Sequence, residues 1–280
     1  DYVQRFGFPP GDLPRNLSLA LGSATVTPLQ IAQGYTVFAN GGYRTEPYFI
    51  DRIRSANGEI LFEADPAIVC EACEQTTETG ANGRGQQGSS SLFSLDGGAS
   101  EAADTNPSTV DPVLLRDTGF ETALADPRLD GDNPMLRVAS RAIPAQNAYL
   151  ITDLMRDVVR RGTGVRAYRE LKRGDMAGKT GTTNDFKDAL FVGFSPAVAA
   201  GGWGGMDDSS PLGNKATGAR AALPVWIDFM AATRPESTTL YFGIPDHMKK
   251  VWMDPVTGRA AADGDEGAVK ALFISGTEPN

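Results

Sequence analysis

Between Met176 and Trp203 the sequence holds three strand-like stretches joined by links of only a few residues. Met176 to Thr182 is the first, Asp188 to Phe194 the second and Val198 to Trp203 the third. Asn184-Asp185 falls in the first link and Ser195-Pro196 closes the second strand. Links this short join antiparallel neighbours, because a parallel connection needs a long crossover. Gly201-Gly202 makes the third strand the weakest of the set. A helix precedes the strands: Tyr149, Leu150, Ile151, Leu154, Met155, Val158 and Val159 recur in pairs on one face, and Gly162 stops it. A further helix starts at Pro224 and carries Val225, Trp226, Ile227, Phe229 and Met230. Helix, meander and helix in that order predict an α+β fold, an antiparallel sheet packed between helices. Trp203 and Trp226 are expected in its core, and Arg156, Arg160, Arg161, Arg166 and Arg169 on a solvated helix face.

The N-terminal part reads as folded too. Thr27 can cap a helix, Pro28 suits its first turn and Gln30 can reach back as in a capping box. Ile31, Tyr35, Phe38 and Ala39 make its apolar stripe, and Asn40-Gly41-Gly42 ends it. Tyr48 to Arg54 and Glu59 to Glu63 then read as a hairpin turning at Asn57-Gly58.

Acidity is local. The chain of 280 residues has 35 acidic and 26 basic residues, a net charge of -9. Residues 63–133 alone hold 14 Asp/Glu against 3 Arg, so the remainder is close to neutral. Within that segment, 74–112 is rich in Gly, Ser and Thr and too poor in apolar groups to offset the cost of ordering; it reads as a flexible insertion. An acidic balance argues against a nucleic-acid partner, which calls for a basic face. His247 is the sole histidine and sits in a polar stretch, which excludes a His-rich metal cluster. Cys70 and Cys73 have C-x-x-C spacing at the edge of the acidic segment, where a local disulfide is the favoured reading. No run of 18 apolar residues occurs that could span a membrane.

Gly178-Lys179-Thr180-Gly181-Thr182-Thr183 is the sharpest motif. A phosphate-binding P-loop is one reading, but Gly174 precedes Gly178 by one residue too few and a strand, not a helix, follows. The other reading is the Lys-Thr-Gly strand of active-serine enzymes. A lysine with neighbouring hydroxyls can bind a carboxylate, and a strand can pair with a peptide-like ligand along its backbone.

The context resembles class A penicillin-binding proteins, the bifunctional enzymes that pair a glycosyltransferase with a transpeptidase domain. The stretches that carry the likeness are Gly178 to Pro196, Leu21-Gly22-Ser23 to Gly42, Arg161-Gly162-Thr163-Gly164, Thr217 to Trp226 and Phe273 to Pro279, in family order. The resemblance implies a transpeptidase/serine β-lactamase-like fold with residues 1–65 and 134–280 as parts of one transpeptidase domain and 66–133 as an insertion. It implies a D,D-transpeptidase that acylates a serine with a stem peptide ending in D-Ala-D-Ala and is inhibited by β-lactams. Lys179, Thr180 and Thr182 would recognise the substrate carboxylate, and Gly181 would keep the strand open to the ligand. The Thr182 backbone N–H would donate in the oxyanion hole, and Thr183 would touch the rim. No cofactor or metal is expected.

The nucleophile is not in this sequence. The family needs Ser-x-x-Lys, and no serine here has lysine three positions later. Ser55-Ala56-Asn57 matches the family's Ser-x-Asn in letters but falls in the hairpin turn. The chain is therefore expected to be the C-terminal part of a transpeptidase domain and inactive alone. Its partner would be the N-terminal part of the same protein, which would also carry the membrane anchor and place the whole at the periplasmic face of the inner membrane. A D-Ala-D-Ala carboxypeptidase, a β-lactamase-type hydrolase and a non-catalytic cell-envelope binding module stay open as alternatives.

Overall fold

The computed structural model describes residues 2–71, 137–233 and 242–280. The chain divides into two compact units, Asp1–Val69 with Ala139–Asn280, and Cys70–Val138. The Gly-, Ser- and Thr-rich stretch 74–112 and Cys73 lie outside the described residues. Cys70 is disulfide-bonded.

Helix α1, Pro28–Ala39, opens as the capping box requires. The Thr27 hydroxyl accepts from the Gln30 amide at 3.2 Å, and the Gln30 side-chain oxygen accepts from the Thr27 amide at 2.7 Å. Such a cap stabilises a helix by about 1 kcal/mol. Strand β1, Tyr43–Arg44, follows the Gly42 turn and pairs with β4, Ser140–Arg141.

Between them, β2, Arg52–Arg54, and β3, Ile60–Glu63, form the expected hairpin. It is shorter than the sequence suggests, since Tyr48-Phe49-Ile50 stays outside the ladder. The pairing ends where Ala64 donates to the Asp51 carbonyl at 2.8 Å. Continuing the register would set Phe49 opposite Pro66, which has no N–H to give. Ser55 is part of the turn: its hydroxyl bonds to the Asn57 side chain and accepts from the Glu59 amide at 3.1 Å.

Helix α2, Ala145–Arg161, is preceded by Pro144 at its N-cap and starts four residues before the apolar pairs begin. The short helix α3, Val165–Leu171, follows. Then come β5, Ala177–Thr182, β6, Asp188–Phe194, and β7, Ala199–Gly205, an antiparallel meander in the order β5-β6-β7. A single π turn, Gly218–Ala222, leads into α4, Leu223–Ala232.

Each face of the sheet is covered by helix. Ala177 and Phe194 pack with Met155 of α2 and with Tyr35 and Phe38 of α1. On the other face Phe191 and Ala189 meet Val159, Ala167, Leu223, Trp226, Ile227 and Met230. The Phe191 and Trp226 rings stand edge to face, 4.8 Å between centroids. Gly202 of β7 and Gly193 of β6 make room here. A Cβ at Gly202 would lie 2.8 Å from the Ala222 carbonyl, and one at Gly193 would lie 2.7 Å from the Trp226 ring.

This explains why the two tryptophans part company. Trp226 is 1% exposed, whereas Trp203 is 51% exposed and lies outside the core. Side chains alternate across a strand. With Gly202 turned to α4, Trp203 points the other way, and its Nε1 donates to the Asp188 carboxylate at 3.1 Å. The arginine face also differs from expectation at one position. Arg156 is only 15% exposed and pairs with Asp153 at 3.3 Å, while Arg161 and Arg166 pair with Asp157 and Glu170 on the surface.

The chain closes with a second hairpin, β8, Met248–Met253, and β9, Val269–Ile274. His247 precedes it, exposed. The Lys249 ammonium, 2.6 Å away, together with backbone amides holds the Glu278 carboxyl down at about 2. A depressed acid supports the fold at pH above its ordinary value of 4.5 and loses that support as pH falls toward 2. An NMR titration of Glu278 is expected to give a midpoint near 2, and Lys249→Met to move it back toward 4.5. A wild-type midpoint already at 4.5 would refute the pairing. Among the described residues no helix is long and apolar enough to cross a membrane.

Candidate functional site

The site is built on β5, and the chain enters it through a buried ion pair. Lys172 ends α3 in the left-handed region, φ 54°. Arg173 then clasps Asp175 with two bonds, Nε to Oδ1 at 3.0 Å and Nη2 to Oδ2 at 2.8 Å, both side chains almost wholly buried. Nη1 also donates to the Met230 carbonyl at 3.5 Å, so the start of β5 is tied to the end of α4.

β5 is an edge strand of the meander, and among the described residues no strand pairs with its outer side. Alternation puts Lys179 and Gly181 on one face and Thr180 and Thr182 on the other. Lys179 is exposed, and its Nζ folds back to donate to the Thr180 carbonyl at 2.8 Å. The two hydroxyls are each engaged by a turn. Thr180 Oγ1 lies 2.9 Å from Thr163 Oγ1 in the turn between α2 and α3. Thr182 Oγ1 accepts from the Gly218 amide at 3.0 Å, at the start of the π turn. That bond leaves the Thr182 proton free to donate elsewhere. Lysine and hydroxyls thus sit on opposite faces but flank the same open edge.

A Cβ at Gly181 would touch the Leu190 side chain at 3.3 Å. The tighter constraint is at Gly218, where a Cβ would lie 2.4 Å from the Gly181 carbonyl and 2.3 Å from that of Leu190. Thr183 belongs to the turn. Its hydroxyl accepts from the Asp188 amide at 2.7 Å, and its own amide donates to the Asp188 carbonyl at 3.1 Å. Asp185 and Phe186 hold positive φ of 61° and 55° in that turn.

Thr163, Gly218 and the Arg173–Asp175 pair escape a motif reading. Thr163 lies in Arg161-Gly162-Thr163-Gly164 and Gly218 in Thr217 to Trp226, stretches legible as resemblance but silent on contact. An open apolar hollow of about 440 Å³ lies among Tyr2, Phe6, Phe38, Ile143, Asn147, Leu150 and Ile151 and involves none of the β5 residues.

Comparison with known proteins settles the family. The model of the penicillin binding protein transpeptidase domain matches residues 6–82 and 130–203, just over half of the chain and including all of β5. The chain belongs to the penicillin-binding protein transpeptidase family. It is 38% identical over 279 residues to penicillin-binding protein 1A of Pseudomonas aeruginosa, covering 99% of this chain and 31% of that protein. Against penicillin-binding protein 1A of Escherichia coli it is 32% identical over 305 residues, covering 100% of this chain and 34% of the other. The crystal structure of penicillin-binding protein 1A from Haemophilus influenzae matches with a TM-score of 0.72 at 29% identity, over 99% of this chain and 36% of that one. The chain therefore spans about a third of the length of these relatives. The α+β transpeptidase fold read from the sequence is the fold observed.

Proposed function

We propose that this chain supplies the substrate-binding strand of a peptidoglycan D,D-transpeptidase whose nucleophilic serine lies on polypeptide outside these 280 residues. The observation that carries the reading is the open edge of β5, flanked by the Lys179 ammonium on one face and by two turn-anchored hydroxyls on the other. A stem peptide ending in D-Ala-D-Ala would lie along that edge as an added strand. Its terminal carboxylate would be met by Lys179, Thr180 and Thr182. The serine oxygen attacks the carbonyl carbon of the penultimate D-Ala, and the Thr182 N–H steadies the oxyanion. The C–N bond breaks, and D-Ala leaves with the serine's proton on its amine. An amine from a neighbouring stem then attacks the ester carbon, loses a proton and restores the serine. A β-lactam acylates the same serine, and its carboxylate takes the place of the peptide's. This acyl transfer is written with no metal or organic cofactor.

On this reading residues 1–65 and 134–280 belong to one transpeptidase domain, and 66–133 is an insertion within it. The N-terminal part of the same protein completes the site, and the working place is the periplasmic face of the inner membrane. The stretches outside Lys-Thr-Gly favour the transpeptidase over a hydrolase or a binding module.

Labelled penicillin tests the reading by intact mass. The longer protein that carries a Ser-x-x-Lys segment is expected to take up one penicillin covalently, and the isolated chain of 280 residues none. An adduct on the isolated chain would overturn the placement of the nucleophile. No adduct on the longer protein would overturn the activity.

A further inference from the structure

We propose that Thr163 is a positioning residue that aims the Thr180 hydroxyl at the substrate carboxylate; this rests on the reading of β5 given above. The two hydroxyl oxygens are 2.9 Å apart, and among the described residues neither side chain has another hydrogen-bond partner. A threonine hydroxyl has one proton to donate, and a carboxylate only accepts. For Thr180 to hold a carboxylate its proton must point outward. Its oxygen is then free to accept, and Thr163 is the donor in reach. The relay runs from the Thr163 O–H to Thr180 Oγ1, and from the Thr180 O–H to the carboxylate. Without a donor behind it, the Thr180 hydroxyl can rotate and spend its proton elsewhere.

Thr163 is well held for this task. The Gly162 amide bonds to the carbonyls of Asp157 and Val158, each at 3.1 Å, and the Gly164 amide to that of Val158 at 3.0 Å. Gly164 is buried, and a Cβ there would lie 3.3 Å from the Phe191 ring and 3.3 Å from the Val158 carbonyl. The turn is thus pinned between the end of α2 and β6, independently of β5. Thr182 is served in the same way by the Gly218 amide. Both hydroxyls on this face therefore have a donor at their oxygen and a proton left for an anion.

The test uses the full-length protein and the second-order rate of acylation by a penicillin and by its methyl ester, in which the carboxylate is masked. Thr163→Val is expected to slow acylation by the acid about tenfold, the scale of one oriented hydrogen bond to a charged group. Thr163→Ser is expected to stay within about twofold of wild type, because the hydroxyl is kept. Acylation by the ester is expected to be unchanged by Thr163→Val, and adding Thr163→Val to Thr180→Val to have no further effect. Thr163→Ala, read with the same two compounds, replaces the valine variant should valine unfold the turn. The proposal is overturned if Thr163→Val reacts like wild type, slows acid and ester alike, or multiplies with Thr180→Val. If Thr180→Val itself leaves the acid rate untouched, the carboxylate reading of β5 is what fails, and the role of Thr163 falls with it.

Discussion

On the function proposed above, Lys179→Met in the longer protein is expected to lower the second-order rate of acylation by a penicillin about a hundredfold, equivalent to about 3 kcal/mol of lost transition-state stabilisation. Methionine keeps the unbranched stem of the side chain and removes the charged end, so the change acts mainly on the electrostatic part. Lys179 is exposed, and among the described residues it donates only to the Thr180 carbonyl of its own strand. Swinging away from that carbonyl toward a carboxylate costs one neutral acceptor and gains a charged one, which favours the bound state. The same variant should react with the penicillin methyl ester at nearly the wild-type rate. Raising salt should also slow the wild-type acid reaction and leave the variant indifferent. Equal slowing of acid and ester would mean that the lysine acts on something other than the carboxylate.

Asp175→Ala is expected to destabilise the fold by about 3–5 kcal/mol, the range for removing one partner of a buried ion pair. Its carboxylate is fully buried and takes both bonds of the Arg173 fork. Removing it leaves a buried guanidinium whose remaining acceptor among the described residues is the Met230 carbonyl at 3.5 Å. The pair stands two residues before β5, so its loss should loosen the site as well as the fold. Calorimetry should show a midpoint roughly 10 °C lower for the transition of this domain. The double change Arg173→Met with Asp175→Leu should recover most of the loss, since apolar replacement of both partners is often neutral. A single variant that melts within about a degree of wild type would show that water relieves the stranded arginine, and would remove the pair from any account of stability.

The meander was legible because short links leave no topology but hairpins, and β6 runs over the residues its apolar run marks, Asp188–Phe194. The capping box was legible because every atom it uses lies within four residues of sequence. The helix stripes predicted α1, α2 and α4, with the start of α2 left unmarked because Ala145 to Ala148 carry no strong apolar pair. What failed had a common cause. Trp203 reads as core because the third strand should pack on the last helix, but which face of β7 meets α4 depends on where Gly202 falls against Ala222 and Trp226. Arg156 reads as solvated, yet its burial depends on what packs over that turn of α2. Tyr48 to Ile50 read as strand, but a strand needs a partner, and Pro66 stands where the partner would be.

Taken alone, the sequence determined the order of α1, the first hairpin, α2, the meander and α4, the strand with its lysine and hydroxyls, and the family, because these depend on local pattern and on residues adjacent in the chain. Only the tertiary structure decided which groups stand behind those hydroxyls. Thr163 is 17 residues from Thr180, and Gly218 is 36 from Thr182. Contacts across such distances are set by how helices and strands pack, and packing is a property of the assembled surfaces rather than of any stretch of chain.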